Sequence, residues 1–147
     1  MRKKLLRAIF ICLLAVAMLG TVAFATTEAS EYILITAIGI GCKGNGVIVV
    51  NCTVTATDIY DDVGVEWIKI YQEGNPTPVF SHYFSDPGYS DLMGHDDVSY
   101  TTTVTYQGTI GENYYAKVGF FAGEYGVAGD VHSMGSAITL ATLYKYP

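Results

Sequence analysis

The stretch Val47-Ile48-Val49-Val50-Asn51-Cys52-Thr53-Val54-Thr55-Ala56-Thr57 decides the fold, because its side chains alternate in character. Ile48, Val50, Cys52, Val54 and Ala56 make one face, and Asn51, Thr53, Thr55 and Thr57 make most of the other. That period of two is the pattern of a half-buried β-strand. The preceding segment, Tyr32–Cys42, carries Ile38, Ile40 and Cys42 at even positions. Directly opposed residues of an antiparallel pair share a face, so these three must oppose the even set of the next strand. A two-residue turn at Gly44-Asn45 would set Ile38 against Asn51, on the wrong face. A three-residue loop, Gly44-Asn45-Gly46, sets Lys43 against Val47, Cys42 against Ile48, Ile40 against Val50 and Ile38 against Cys52. It also puts Gly46 where a bulge needs positive φ, so this loop is the one expected.

The register bears on the cysteines. An even count in an oxidising compartment makes a Cys42–Cys52 bridge the default inference, closing a short loop worth about 2 to 3 kcal/mol. In the hairpin the two are offset by four positions, ~13 Å along the strand, whereas bridged Cα atoms lie within ~7 Å. Bridge and hairpin exclude one another. The register predicts two free thiols packed in the core, each acting as a small hydrophobe.

Outward from this hairpin the same alternation, broken by turn residues, gives further strands at Val63–Glu73, Pro78–Ser85, Val98–Gln107, Asn113–Gly123 and Val131–Leu143. The fifth strand presents Val98, Tyr100, Thr102, Val104 and Tyr106 on one side. The sixth presents Tyr114, Ala116, Val118, Phe120 and Ala122 inward, with Tyr115, Lys117 and Phe121 opposite. Half the chain is hydrophobic and it is rich in Tyr, Val, Thr and Ile, a β composition. No segment after Ala25 shows capped helical periodicity. Seven strands at a spacing of about a dozen residues point to an all-β, antiparallel, seven-stranded β-sandwich.

The N-terminus reads as an export signal. Arg2, Lys3, Lys4 and Arg7 precede an apolar core from Ala8 to Leu19, followed by Ala23-Phe24-Ala25. The core is shorter than the ~20 residues that cross a bilayer, and the small-x-small ending suits cleavage after Ala25. Cys12 lies within the apolar core and leaves with it. The expected organisation is therefore a signal peptide, residues 1–25, and one secreted, extracellular domain, residues 26–147. A chain of that length buries about two-thirds of its unfolded surface, enough for one core.

Cleavage removes four of the eight basic residues and none of the fourteen acidic ones, leaving four lysines, no arginine and a formal charge of −10. Phosphate recognition relies on clustered Lys and Arg, so nucleic acid and anionic membranes are not expected partners.

The order Ile38-Gly39-Ile40, Val50-Asn51-Cys52-Thr53-Val54, Val65-Glu66-Trp67-Ile68-Lys69-Ile70, Ser99-Tyr100-Thr101-Thr102-Thr103-Val104 and Tyr114-Tyr115-Ala116-Lys117-Val118 resembles the small secreted immunoglobulin-like or fibronectin-type-III-like sandwiches of Gram-positive bacteria. In the immunoglobulin pattern Cys52 stands at the first core cysteine, Trp67 at the strand C tryptophan and Tyr114 at the tyrosine corner. Ala116 occupies the second cysteine position, so the inter-sheet disulfide is absent. Ile68 and Ile70 direct the other face of Trp67's strand inward, leaving Trp67 open between core and surface. Such domains serve adhesion, carbohydrate contact or assembly, so the resemblance implies a fold and a compartment rather than one activity.

Catalysis by a nucleophile needs a Ser, Thr or Cys, a base and an orienting group. His82, His95 and His132 have serines nearby in sequence, but adjacent strand residues face opposite ways and no G-x-S-x-G elbow occurs. No zinc spacing such as H-E-x-x-H or C-x-x-C is present either, so an enzyme is not expected. Calcium suits the oxygen-rich loops better, with Asp58, Asp61 and Asp62 in one cluster and Asp86, Asp91, Asp96 and Asp97 in another. Neither forms a D-x-D-x-D-G loop, and Asp is common in turns for its own hydrogen bonding, so no cofactor is expected.

Twelve tyrosines remain, of which Tyr71, Tyr83, Tyr89 and Tyr125 are the candidates for an exposed stacking surface. The expectation is a secreted binding or surface-interaction module for an extracellular glycan or protein. A secreted antimicrobial or competition factor is the alternative, and a small extracellular hydrolase the third reading.

Overall fold

The computed structural model describes residues 30–133 and 141–142. The chain runs as β1 (Ile33–Cys42), β2 (Val47–Gln72), β3 (Phe80–Tyr83), a single 3-10 turn at Ser90–Leu92, β4 (Met93–Gln107), β5 (Asn113–Glu124), β6 (Ala128–Ser133) and β7 (Ala141–Thr142). Every pairing is antiparallel, so the all-β, antiparallel reading holds. The signal segment, residues 1–25, lies outside the described residues, as does most of the last expected strand, Val131–Leu143.

β1 and β2 take the expected register: Ile38 opposes Cys52, Ile40 opposes Val50 and Cys42 opposes Ile48. The loop closes with Lys43 N–H donating to the Val47 carbonyl at 2.8 Å. Gly44, Asn45 and Gly46 all have positive φ, at 67°, 49° and 79°. No disulfide joins Cys42 to Cys52; Cys52 is buried as expected, whereas Cys42, expected to face inward, is exposed at the end of β1. Burial pushes the Cys52 thiol up to about 12, which removes the reactive thiolate at neutral pH. Alkylation of the native protein should therefore add one label, at Cys42, and alkylation after unreduced denaturation should add two. A Cys42–Cys52 bridge found by peptide mapping would overturn this register.

The two strands expected at Val47–Thr57 and Val63–Glu73 are one strand of 26 residues. Asp58–Asp62 is no turn. Thr55 opposes Ser99 and Tyr60 opposes Asp97, so β2 advances five residues while β4 advances two. The surplus forms an irregularity that interrupts the pairing with β4 after Thr55 and lets it resume at Tyr60. Asp58 supports it by accepting the Ile59 N–H at 2.8 Å. β4 likewise begins at Met93, earlier than Val98, and Val98 opposite the irregularity is 45% exposed where an inward position was expected.

The first half of β2 lies between β1 and β4, its second half between β5 and β3. Only residues 62–64 are paired with β4 and β5 at once. Inward parity follows the bends: Ile48, Val50, Cys52, Val54 and Ala56 are even, Val63 and Val65 odd, Ile68 and Ile70 even again. The surplus at 55–60 flips it once. A bulge between Val65 and Trp67 flips it back.

The inward faces of both halves join in one core with Tyr114, Ala116, Val118, Phe120 and Ala122 of β5 and Val104 of β4. Tyr106 of β4 reaches across to Tyr114 and to Phe80 of β3, at ring centroids of 6.2 and 5.7 Å. All seven strands belong to one sheet, and the two halves of β2, offset by the irregularities along it, contribute to a single core. At the start of β5 the buried Tyr114 hydroxyl accepts the Thr109 N–H at 2.8 Å.

Phe121 corrects the alternation. It points to the outer face, as parity requires, yet is only 5% exposed. The β5–β6 turn folds back over it: Tyr125 packs at 5.4 Å, and Gly129 leaves room for its ring.

Candidate functional site

The outer face of the layer formed by β3, the second half of β2, β5 and β6 gathers aromatic and basic side chains. The bulge at Glu66 turns Trp67, Lys69 and Tyr71 outward, and the alternation of β5 turns Tyr115, Lys117 and Phe121 the same way. Register then sets Tyr71 opposite Tyr115, Lys69 opposite Lys117 and Trp67 opposite Gly119. From Tyr115 to Phe121 the row runs ~20 Å along the strand.

Tyr71 and Tyr115 stack at 5.0 Å with their planes 6° apart. Trp67 lies across Gly119, where a Cβ would overlap the indole at Nε1 and Cε2, so the ring rests on bare backbone. Tyr83, opposite Trp67 on β3, extends the row at 43% exposed. Tyr125, at 45%, closes its far end against Phe121 and Phe84.

The two lysines face each other across β2 and β5. Like charges directly opposed destabilise a sheet. Here the aromatic rings take up part of that cost: Lys69 Nζ is 5.2 Å from the Trp67 ring, and Lys117 Nζ is 5.2 and 5.9 Å from Tyr71 and Tyr115. Among the described residues neither lysine has a carboxylate within ion-pair distance.

Tyr71, Tyr83 and Tyr125 of the expected aromatic set therefore share this face or border it. Tyr89 does not. It stacks on His82 at 3.7 Å, with Phe80 edge-on at 6.0 Å, at the rim of the core. Sequence reasoning left Trp67 unplaced and overlooked Lys69 as its neighbour, since both facts depend on the bulge at Glu66.

Of the seven aspartates, Asp58, Asp62 and Asp86 engage hydrogen-bond partners through their carboxylates. Asp86 accepts the Tyr83 N–H at 2.9 Å and faces His82 Nδ1 at 3.2 Å. The Tyr83 N–H and, behind it, His82 hold its carboxyl below the usual range against a smaller opposing effect of burial. Asp62 meets His95 Nδ1 at 2.8 Å and accepts the Tyr125 N–H at 2.9 Å. The Asp91 carbonyl accepts Tyr100 Oη and Thr102 Oγ1 at 2.9 and 3.0 Å. Asp61 offers its carbonyl to His95 at 3.3 Å, Asp96 takes φ 54°, and Asp97 opposes Tyr60. Among the described residues no three His, Cys, Asp or Glu side chains converge on a metal position.

Two histidine–carboxylate pairs, His82 with Asp86 and His95 with Asp62, were not read from the sequence. They supply a base and its orienting group. The His82 imidazole meets Asp86, and the His95 imidazole meets Asp61 and Asp62. A groove of about 250 Å³ beside Tyr32 and Tyr60 is lined by Asp61 and Glu124 but by no histidine. Comparison with known proteins finds no matching family model, no similar curated protein and no similar solved structure.

Proposed function

We propose that the chain is a secreted immunoglobulin-like or fibronectin-type-III-like β-sandwich that works by binding an extracellular carbohydrate through the outer face of β2 and β5. The fold reading is supported by the exchange of partners along β2, from β1 and β4 in its first half to β3 and β5 in its second, and by the Tyr114 hydroxyl bonded back to Thr109. Trp67 departs from the immunoglobulin pattern, since it faces outward. Export is supported by the N-terminal basic and apolar segments.

The carbohydrate reading is carried by one observation: an indole seated against Gly119 beside the stacked Tyr71 and Tyr115. A flat aromatic surface offers apolar contact to a sugar ring without needing a pocket. The secreted protein should bind at least one polymer in a panel of immobilised glycans and peptidoglycan. Trp67→Ala should weaken that binding about tenfold or more, corresponding to ~1.4 kcal/mol, with an unchanged circular dichroism spectrum. Absence of binding across the panel would defeat the reading.

A protein partner is the second reading, favoured by β1. Its ten residues carry no charge and no proline, and among the described residues it pairs only with β2. Leu34 and Ile35 are 64% and 57% exposed. An edge without charge or proline is open to strand addition.

A further inference from the structure

Resting on the carbohydrate reading above, we propose that the ligand of this face is an acidic polysaccharide whose carboxylates are held by Lys69 and Lys117.

The mature chain expected from cleavage has four lysines among fourteen acidic residues. Two of those four are set directly opposite one another on the aromatic face. With so few cations, random placement would leave each beside an acid; instead both lack a carboxylate partner among the described residues. Opposed like charges are a standing electrostatic cost to the sheet. An anion between the two ammonium groups converts that repulsion into attraction for both. Lys69 Nζ lies over the Trp67 ring and Lys117 Nζ over the Tyr71 and Tyr115 rings, so both ammonium groups sit among the aromatic side chains that a sugar ring would contact.

The aromatic neighbours narrow the anion. A polyol-phosphate polymer would satisfy the lysines but presents no sugar ring to Trp67, Tyr71 and Tyr115. A uronic-acid polymer presents both required groups, a ring with an apolar face and a carboxylate on that ring. An acidic peptide would satisfy the lysines but leave Trp67 without a flat partner.

The test uses the full secreted protein with polygalacturonate, the same polymer methyl-esterified, and polyglutamate. Polygalacturonate should bind at least tenfold more tightly than its ester, and the preference should fall as salt rises. Lys69→Gln with Lys117→Gln should abolish that preference and leave the weak binding of the ester in place. Their melting temperature should not fall, because a repulsive pair has been removed. Gly119→Ala, which lifts the indole and keeps both lysines, should weaken both polymers together. Equal binding of acid and ester would overturn the acidic-ligand inference and leave the carbohydrate reading standing. Polyglutamate binding as tightly as polygalacturonate would overturn it in favour of an acidic peptide. Failure of every glycan, ester included, would remove the carbohydrate reading and this inference with it.

Discussion

Phe120→Ala should lower stability by about 3 to 5 kcal/mol, and Phe121→Ala, one residue on and facing the opposite way, by about 2 to 3 kcal/mol. Phe120 is fully buried in the core, opposite Val65 of β2, and truncation leaves a cavity among its neighbours. A loss of that size is a large part of the ~5 to 15 kcal/mol holding a domain together. Phe121 owes its burial to the β5–β6 turn, whose Tyr125 can settle partway into the space left behind, hence the smaller cost. Urea denaturation midpoints of the two variants test both values. A Phe121→Ala protein within about 0.5 kcal/mol of the parent would mean that the turn does not cover the ring.

Gly64→Ala should cost about 3 kcal/mol or more, and Gly39→Ala almost nothing. A Cβ on Gly64 would overlap the Leu92 carbonyl oxygen and come within 2.8 Å of Met93 Cα. These are backbone atoms, so no rotamer change relieves them. Gly64 is also paired with Met93 on one side and Phe121 on the other, so moving it disturbs both layers. At Gly39 on β1 a Cβ meets nothing within 4 Å, and alanine there lowers the entropy of the unfolded chain. Thermal melts of the pair should diverge sharply; similar melting temperatures would show that β4 does not approach Gly64 as closely as described.

Local chemistry made some features legible in the sequence. The β1–β2 register followed from parity and the glycines of one short loop, and both were sufficient because the hairpin is regular. The inward list of β5 was readable for the same reason. Asp58–Asp62 misled because Asp suits a turn and a bulge alike, and only the cross-strand partners on β4 distinguish them. Alternation gives the side on which Phe121 lies and says nothing of what folds over it. The site divided in the same way. Tyr71, Tyr83 and Tyr125 were recognisable by type, whereas Tyr89 was lost to its stack with His82. The opposition of Lys69 and Lys117 needed the register of two strands distant in sequence, after a bulge that no composition signal marks.

The continuity of β2 has a consequence for the chain before it is folded. Four of the other strands pair with β2, and β3, β4 and β5 all follow it in sequence. During synthesis it must wait with only β1 for company, as a long run of Val, Ile and Thr with open edges, the kind of segment that assembles with copies of itself. Asp58, Asp61 and Asp62 fall near its middle. In the folded protein Asp58 accepts the Ile59 N–H, and Asp62 meets His95 and the Tyr125 N–H. In the nascent chain they set three like charges in register wherever two copies align in parallel, so the aspartates that interrupt this strand act as gatekeepers against aggregation.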